Sequence, residues 1–387
     1  MTSQTINSEC DALFLSDTHG FHLLNGAIHR QAKILHHMRP QSLHLVGDII
    51  DFEAIVHILR SEFGLKRDEF PDDFEKVYAL FVQKWPYFEI HLRFLDLVFE
   101  RVQQGVEVIY EPGNHDENLD QFDGQELLGI QIQNQANYDV GNDQFIRIEH
   151  GHRFDPGWLQ RNADWYKRGS RILDIALRTD VVLSKSLKRL YYKQAAAKNF
   201  IKQMLRLGEG HANQMIEKID PSLKMVCEKF FVANGVKALG KTYVRSFEER
   251  AVEKAHRKGA VGILCGHIHK ARCEVKDVYT ADPTLIPSAC NDDSEASNMN
   301  RDPVLYLNAG DGLTRGAAMA HRHDKARALE DQFEILIGKN LKTPWSIIEQ
   351  TVDPDLRAKT MEFMQAGWMA CLQVLKEKEP EKESAMT

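Results

Sequence analysis

Cysteine is scarce in this sequence, and closely paired cysteines are missing. The 387 residues include six cysteines, none of them in a CxxC pair, which excludes a disulfide-stapled scaffold. No apolar run approaches the roughly 20 residues that a membrane-spanning helix requires. The first residues are polar and acidic, whereas a secretory signal carries basic residues and then a long apolar stretch. These absences predict a protein of a reducing, cytoplasmic compartment.

The rest of the composition is that of an ordinary globular protein. Hydrophobic residues make up 43% of the chain and charged residues 27%, which excludes a disordered or fibrous protein. A chain of this length is expected to fold into two or three structural units and to bury enough surface for a stable core.

Charge is distributed unevenly along the chain. The net charge is −7, but residues 153–258 contain 23 Lys and Arg against 11 Asp and Glu, a net charge of +12. Within this segment, Val181 to Arg206 has seven basic and no acidic residues. Its apolar residues recur at steps of three and four, which predicts an amphipathic helix with one basic face.

This basic face has two interpretations. It is either the solvated face of a packed surface helix, or it meets an anion: a nucleotide diphosphate, an acidic membrane surface or a nucleic-acid backbone. Sparse aromatic residues and the acidic overall charge disfavour nucleic acid.

Short apolar runs alternate with helical patterns in the first part of the chain. A helical pattern spans Gly26 to Met38, and a longer one, Asp72 to Gln104, is interrupted at Pro86. The predicted fold class is therefore α/β, with strands and helices alternating along this part of the chain. We interpret six runs as strands: Ala12–Ser16, Ser42–Val46, Val106–Tyr110, Phe145–Glu149, Val261–Cys265 and Val304–Leu307.

Four regions are predicted from these patterns. Residues 1–160 and 259–318 form the core, and residues 161–258, which show almost no strand pattern, form a basic helical cap over one end of the sheet. Residues 319–375 are predicted to be a helical extension, and the charged residues 376–387 a disordered tail.

Polar side chains of metal-ligand type follow five of the predicted strands. In an open α/β sheet the carboxyl ends of the strands are where sites form, and Asp, Asn and His ligate divalent metals. Glycines adjoin several of these residues, as close backbone approach requires. The pattern predicts a metal centre at this edge, among the following residues: Asp17, His19, Asp48, Asp51, Asn114, His115, His150, His152, His267 and His269.

The order of these motifs resembles that of the calcineurin-like metallophosphoesterases. The matching blocks are Asp17-x-His19, Gly47-Asp48-x-x-Asp51, Gly113-Asn114-His115-Asp116, His150 and Gly266-His267-x-His269. The resemblance covers about residues 11–314, without most of the predicted cap, and implies that superfamily's core, an α+β sandwich of β-sheets flanked by helices.

A narrower resemblance is to the UDP-2,3-diacylglucosamine pyrophosphatase group. It rests on the basic insertion and on three runs: LVGDIID at 45–51, EPGNHDE at 111–117 and Asn308-x-Gly310-Asp311. His150-Gly151-His152 departs from the His-Gly-Asp that this group commonly has, and the chain is longer than its compact members.

The resemblance implies a site for two divalent metal ions. Mixed Asp, Asn and His ligands suit Mn, Fe and Zn, and Mn is the expected ion. Because only two of the implied ligands are carboxylates, two divalent ions would leave about two positive charges to attract a phosphate. One ion would be held by Asp17, His19 and His269, the other by Asn114, His150 and His267, with Asp48 bridging.

The resemblance also implies two catalytic residues that do not ligate metal. His115 would lie beside the leaving oxygen or a phosphoryl oxygen, as electrostatic stabiliser and general acid. Asp51 would orient His115 and keep its imidazole protonated.

Hydrolysis of a phosphoanhydride or phosphodiester is the implied activity. The expected partner is an anionic phosphoester, including a nucleotide-linked lipid such as UDP-2,3-diacylglucosamine, with peripheral contact at the inner membrane through the basic cap. A broader phosphodiesterase or a protein phosphatase is the alternative within enzymes. A non-catalytic metal-binding scaffold is the alternative outside them.

Overall fold

The computed structural model describes residues 8–22, 28–154, 247–269, 271–280, 300–310, 316–341 and 353–377. The chain divides into two compact units, one of Met1–Phe154 and Arg250–Thr387 and the other of Asp155–Glu249. Residues 161–246 of the predicted cap lie outside the described residues, so the helical character and the basic face predicted for them stay predictions. The predicted disordered tail, 376–387, also lies almost entirely outside them.

The first unit contains a mixed sheet of seven strands. Four neighbouring strands of this sheet run parallel to one another, and the other three pair antiparallel. The strands lie in the order β12 (Phe333–Ile337), β11 (Ala317–His321), β1 (Glu9–Leu15), β2 (Arg39–Val46), β3 (Glu107–Glu111), β5 (Ile130–Ile132) and β4 (Glu126–Leu127).

A second mixed sheet has five strands. Its three central strands are parallel, and an antiparallel strand lies at each edge. The strands lie in the order β6 (Ala136–Gly141), β7 (Gln144–Ile148), β8 (Gly262–Cys265), β10 (Asn300–Asn308) and β9 (Arg272–Thr280).

Six helices are described in these parts of the chain, and short 3-10 turns such as Pro86–Phe88 and Glu117–Phe122 connect elements. No helix in the described ranges is long and apolar enough to cross a bilayer. The helices are α1 (Ile28–His37), α2 (Phe52–Ser61), α3 (Phe74–Lys84), α4 (Glu89–Gln103), α5 (described over 247–257) and α6 (Pro354–Glu377).

Alternation along the strands places the first sheet between two apolar layers. On β1, Leu13 and Leu15 join the cluster that contains the buried residues of α1 to α4 and α6. Ala12 and Phe14 point to the other face and join residues of the second sheet such as Ile148. Because successive side chains of a strand point to opposite faces, one strand contributes to both layers. The architecture is therefore α+β, with two mixed sheets packed together and flanked by helices.

The predicted strands and the first two helical patterns agree with the structure. All six apolar runs lie on strands. The helical pattern from Gly26 to Met38 is α1, and that from Asp72 to Gln104 is α3 and α4, separated at Pro86. Proline lacks the backbone N–H that a continuous helix needs. Helix α2 and strands β4, β5, β6 and β9 were not predicted.

The predicted helical extension over 319–375 is wrong in its first part. Ala317–His321 and Phe333–Ile337 are the strands β11 and β12, and the long helix begins only at Pro354. All five residues of β11 are buried. A strand buried on both faces has no polar alternation, so its alanine-rich sequence is not distinguished from a helix by periodicity.

Candidate metal centre

The carboxyl ends of the parallel strands bring the predicted site residues together. Strands β1, β2 and β3 end at Leu15, Val46 and Glu111, and β7 and β8 end at Ile148 and Cys265. Parallel strands end at the same edge of their sheet, and each predicted ligand lies within a few residues of one of these ends. The loops therefore carry the site, as the sequence predicted.

The first group of ligand-type side chains consists of Asp17, His19 and His269. Their ligand atoms all lie within 4.8 Å of one another. His269 Nε2 is 3.5 Å from Asp17 Oδ1, and the rings of His19 and His269 stack with centroids 5.1 Å apart. These are the three residues predicted to hold one ion.

The second group consists of Asp48, His150 and His267. Their ligand atoms also lie within 4.8 Å of one another, and His150 Nε2 is 3.2 Å from Asp48 Oδ2. The rings of His150 and His267 meet edge to face at 5.3 Å. Two of the three residues predicted to hold the other ion are thus together, beside the predicted bridge.

Asp48, a member of the second group, also faces the first. Its Oδ2 atom is 3.2 Å from His150 Nε2 in the second group and 3.8 Å from His19 Nε2 in the first. Its other oxygen, Oδ1, accepts the backbone N–H of His115 at 2.8 Å. One carboxylate oxygen therefore faces both groups, which is the position that a bridging ligand occupies.

Asn114 is placed beside this carboxylate by both of its neighbours in the chain. A Cβ atom on Gly113 would lie 2.3 Å from Asp48 Oδ1, and the His115 backbone bonds the same oxygen. Asn114 Oδ1 is buried and has no hydrogen-bond partner in the described part of the chain. A buried acceptor without a partner is costly, and a cation would satisfy it. The donor set thus fits two divalent ions.

The ring of His150 is oriented by a hydrogen bond at the nitrogen that does not face Asp48. Its Nδ1 lies 2.9 Å from the carbonyl oxygen of Val46, to which it can donate a hydrogen bond. That bond fixes the tautomer with a lone pair on Nε2, the nitrogen that faces Asp48. A hydrogen bond of this kind to the second ring nitrogen is typical of metal-ligating histidines.

The backbone of the predicted ligands is mostly left-handed. Five of them have φ values between 46° and 68°, a region that residues other than glycine seldom adopt. Such strain persists only where the surrounding structure enforces it, and it clusters at functional sites. The five are Asp17, His19, Asp48, His267 and His269.

The loop after β10 closes against the first group. A Cβ atom on Gly310 would lie 2.0 Å from Asp17 Oδ2, so only glycine allows this close approach. Asn308 holds the loop, because its side chain donates to the Gly266 carbonyl and accepts the Gly310 N–H. Ser16 Oγ lies 2.6 Å from Asp17 Oδ2 on another side. Asp17 is thus confined by its neighbour Ser16 and by the loop after β10.

Asp116 is a positioning residue to which the sequence analysis assigned no role. It is fully buried and ties the loop after β2 to the loop after β3, so it sets the distance between Asp48 and Asn114. Its carboxylate accepts hydrogen bonds from five donors: the backbone N–H groups of Asp48, Ile49, Ile50 and Gly113 and the hydroxyl of Tyr110.

His115 and Asp51 form the predicted pair. His115 Nδ1 is 3.2 Å from Asp51 Oδ1, and the same carboxylate accepts the Ala54 N–H at the start of α2. Although burial lowers the pKa of the His115 imidazole, the carboxylates of Asp51 and Asp48 raise it well above its usual value. The pair therefore holds a proton at His115.

One histidine near the site was assigned no role from the sequence, and another has neighbours that were not predicted. The ligand atoms of His115, His19 and Asp48 also lie within 4.8 Å of one another, a proximity that was not predicted. His152, to which no role was assigned, lies beside the second group, with its ring 5.7 Å from that of His150. Burial lowers the pKa of His152 to about 3, so it is neutral at the edge of the site.

His91 on α4 supports the loop that carries Asp17 and His19. Its Nδ1 accepts the backbone N–H of Phe21 at 2.7 Å, and Phe21 itself has a left-handed backbone. Because it is fully buried, the pKa of His91 is lowered to about 3. Nothing in the sequence pattern distinguishes His91 from the other histidines of the chain.

Acidification is expected to destabilise the protein through His91. An unfolded histidine titrates near 6.5 and the folded one near 3, so the unfolded chain binds the extra proton between these values. The contribution of His91 to the free energy of unfolding should fall by about 2 kcal/mol from pH 7 to pH 5. Chemical denaturation across this range measures it. The variant His91→Gln, which keeps an acceptor for Phe21, should lose that part of the slope, and an unchanged slope would contradict the assignment.

The comparisons with known proteins give no relative for this chain. A search against known protein families found no match, and a search of curated proteins found no matching sequence. The motifs and the geometry of the site therefore carry the functional argument.

Proposed function

We propose that this protein is a dinuclear metal-dependent phosphohydrolase of the calcineurin-like metallophosphoesterase type. It cleaves a phosphoanhydride or phosphodiester bond by attack of water. The observation that carries the proposal is the position of Asp48 Oδ2, which lies 3.8 Å from His19 Nε2 in the first group and 3.2 Å from His150 Nε2 in the second. The order of the ligand-bearing blocks along the chain supports the same assignment.

The residues that would hold the ions are those of the two groups of ligand-type side chains, together with Asn114. When bound, the ions would supply Lewis acidity, which would lower the pKa of water and neutralise charge on the phosphoryl oxygens. Mn is the proposed ion, with Fe and Zn as alternatives. The ligands would be Asp17, His19 and His269 for one ion and Asn114, His150 and His267 for the other, with Asp48 shared.

The protein's own acid is His115. Attack of a water oxygen on phosphorus forms one P–O bond and breaks the bond to the leaving oxygen, which then needs a proton. His115 donates that proton, and the Asp51 carboxylate at 3.2 Å keeps the imidazole protonated and oriented. After the reaction, the proton released by the attacking water restores the acid.

The proposed substrate class is an anionic phosphoester, with a nucleotide-linked lipid similar to UDP-2,3-diacylglucosamine as the narrower proposal. It is supported by the runs at 45–51 and 111–117 and by the basic segment 153–258. That segment would meet the diphosphate or an acidic membrane surface. A broader phosphodiesterase, a protein phosphatase and a non-catalytic metal-binding scaffold are the other outcomes of the test.

The test is phosphate-bond hydrolysis by the full-length, Mn-loaded protein. The substrates are a bis-aryl phosphodiester and UDP-2,3-diacylglucosamine, and EDTA-treated protein is the control. Cleavage of the lipid nucleotide alone would support the narrower proposal, and cleavage of both would support a broader phosphodiesterase. If the protein binds two metals but cleaves neither of these substrates nor a phosphopeptide, this result would contradict the enzyme proposal and favour the scaffold.

A further inference from the structure

We infer that helix α6 positions the catalytic pair, with Gly367 as the positioning residue. This rests on the proposed function in that it takes His115 and Asp51 as that pair. Gly367 contacts two segments: one begins directly after Asp51 and the other directly after His115 and Asp116.

The first contact is with Phe52. A Cβ atom on Gly367 would lie 2.4 Å from Phe52 Cζ, closer than side-chain atoms approach, so the ring packs directly on the helix backbone. Phe52 is the first residue of α2 and is fully buried. Asp51, the N-cap of that helix, precedes it. The position of the Phe52 ring therefore sets the position of the carboxylate that faces His115.

The second contact is with Asn118. Its side-chain amide donates a buried hydrogen bond of 2.7 Å to the carbonyl oxygen of Gly367. Asn118 belongs to the 3-10 turn Glu117–Phe122, which starts immediately after Asp116. One helix residue thus holds both members of the pair, Asp51 through Phe52 and His115 through the turn.

Helix α6 is anchored elsewhere, so it cannot withdraw when Gly367 is enlarged. Trp368 Nε1 donates to the Pro71 carbonyl at 2.8 Å. Thr360 Oγ1 and Arg357 both bond the buried carboxylate of Asp96. A glycine inside a helix costs about 1 kcal/mol relative to alanine, and the close approach of Phe52 explains why one stands here. A methyl group at position 367 would therefore displace α2 at its Phe52 end, because α2 is the shorter of the two helices.

The experiment compares Gly367→Ala with two further variants in the Mn-loaded, full-length protein. Gly367→Ala should lower kcat at least about tenfold, because a small misplacement of catalytic groups has effects of this size, while KM and the two bound metals stay unchanged. Gly367→Ala with Phe52→Leu should recover most of the loss. Trp368→Phe, which weakens the anchoring of the same helix, should lower the melting temperature without lowering kcat.

A readout that needs no turnover separates this inference from the proposed function. In metal-free protein labelled with ¹⁵N-histidine, where no paramagnetic Mn broadens the signals, the ring signals of His115 should shift in Gly367→Ala and in Asn118→Ala, which adds no atoms, but not in Trp368→Phe. If the wild type hydrolyses nothing, the proposed function fails while these signals still decide the positioning. Unchanged His115 signals in both variants, or a kcat loss in Trp368→Phe as large as that in Gly367→Ala, would overturn the inference.

Discussion

The Asp48→Ala variant is expected to lose its metal ions and its hydrolytic activity together. Asp48 Oδ2 faces both groups of ligand-type side chains, at 3.2 Å from His150 and 3.8 Å from His19. Removal of even an outer partner of a metal ligand costs about 10- to 100-fold in affinity, and removal of a shared ligand should cost more. Metal content after gel filtration, measured with activity on the same sample, gives the result.

Two controls separate metal loss from unfolding. Asp302→Ala removes the same charge from an exposed side chain of β10 that pairs with His256, and it should keep both metals. Asp48→Asn keeps an oxygen that can accept the His115 backbone N–H but not the negative charge, so it should fold and still bind metal weakly. An Asp48→Ala protein that retains two tightly bound metals would remove Asp48 from the bridging role.

The His115→Ala variant is expected to keep its metals and lose most of its turnover. The imidazole lies beside Asp51, and no predicted ligand is removed. Loss of a general acid typically lowers kcat by 10²-fold or more. Steady-state kinetics and metal content on one preparation test this. His256→Ala, a histidine paired with Asp302 outside the site, is the matched control, and equal turnover in His115→Ala and wild type would exclude His115 from the mechanism.

The pH profile gives the sign of the Asp51 effect. Because Asp51 raises the pKa of His115, the protonated form persists to higher pH. Activity should therefore fall only when the pH rises above this raised pKa. Asp51→Asn removes this effect, so the alkaline limb of the kcat profile should move to lower pH. Asparagine is also a good helix N-cap, so α2 should remain intact. An unmoved limb would show that another group controls it.

The site could be largely predicted from the sequence because its ligands are local to strand ends. Asp17 and His19 follow a short apolar run directly, as do Asp48 and His267. Parallel strands that end at one edge then bring such loops together without further information. The six predicted strands were confirmed for the same reason, since each is bounded by turn residues and has a clear apolar pattern.

The parts that could not be predicted depend on contacts between distant residues. Asp116, Gly367 and His91 act through partners that no local pattern identifies, such as the backbone of Asp48 for Asp116 and Phe52 for Gly367. The strand Ala317–His321 is buried on both faces and so lacks the alternation that marks a strand. Periodicity reports exposure along one element, and these features are set by packing between elements.

Anomalous diffraction from crystals of the Mn-loaded protein tests the central claim, the dinuclear centre, most directly. Two peaks are expected about 3.5–4 Å apart, one beside Asp17 and His269 and the other beside His150 and His267, with Asp48 between them. A single peak, or peaks away from Asp48, would contradict the account.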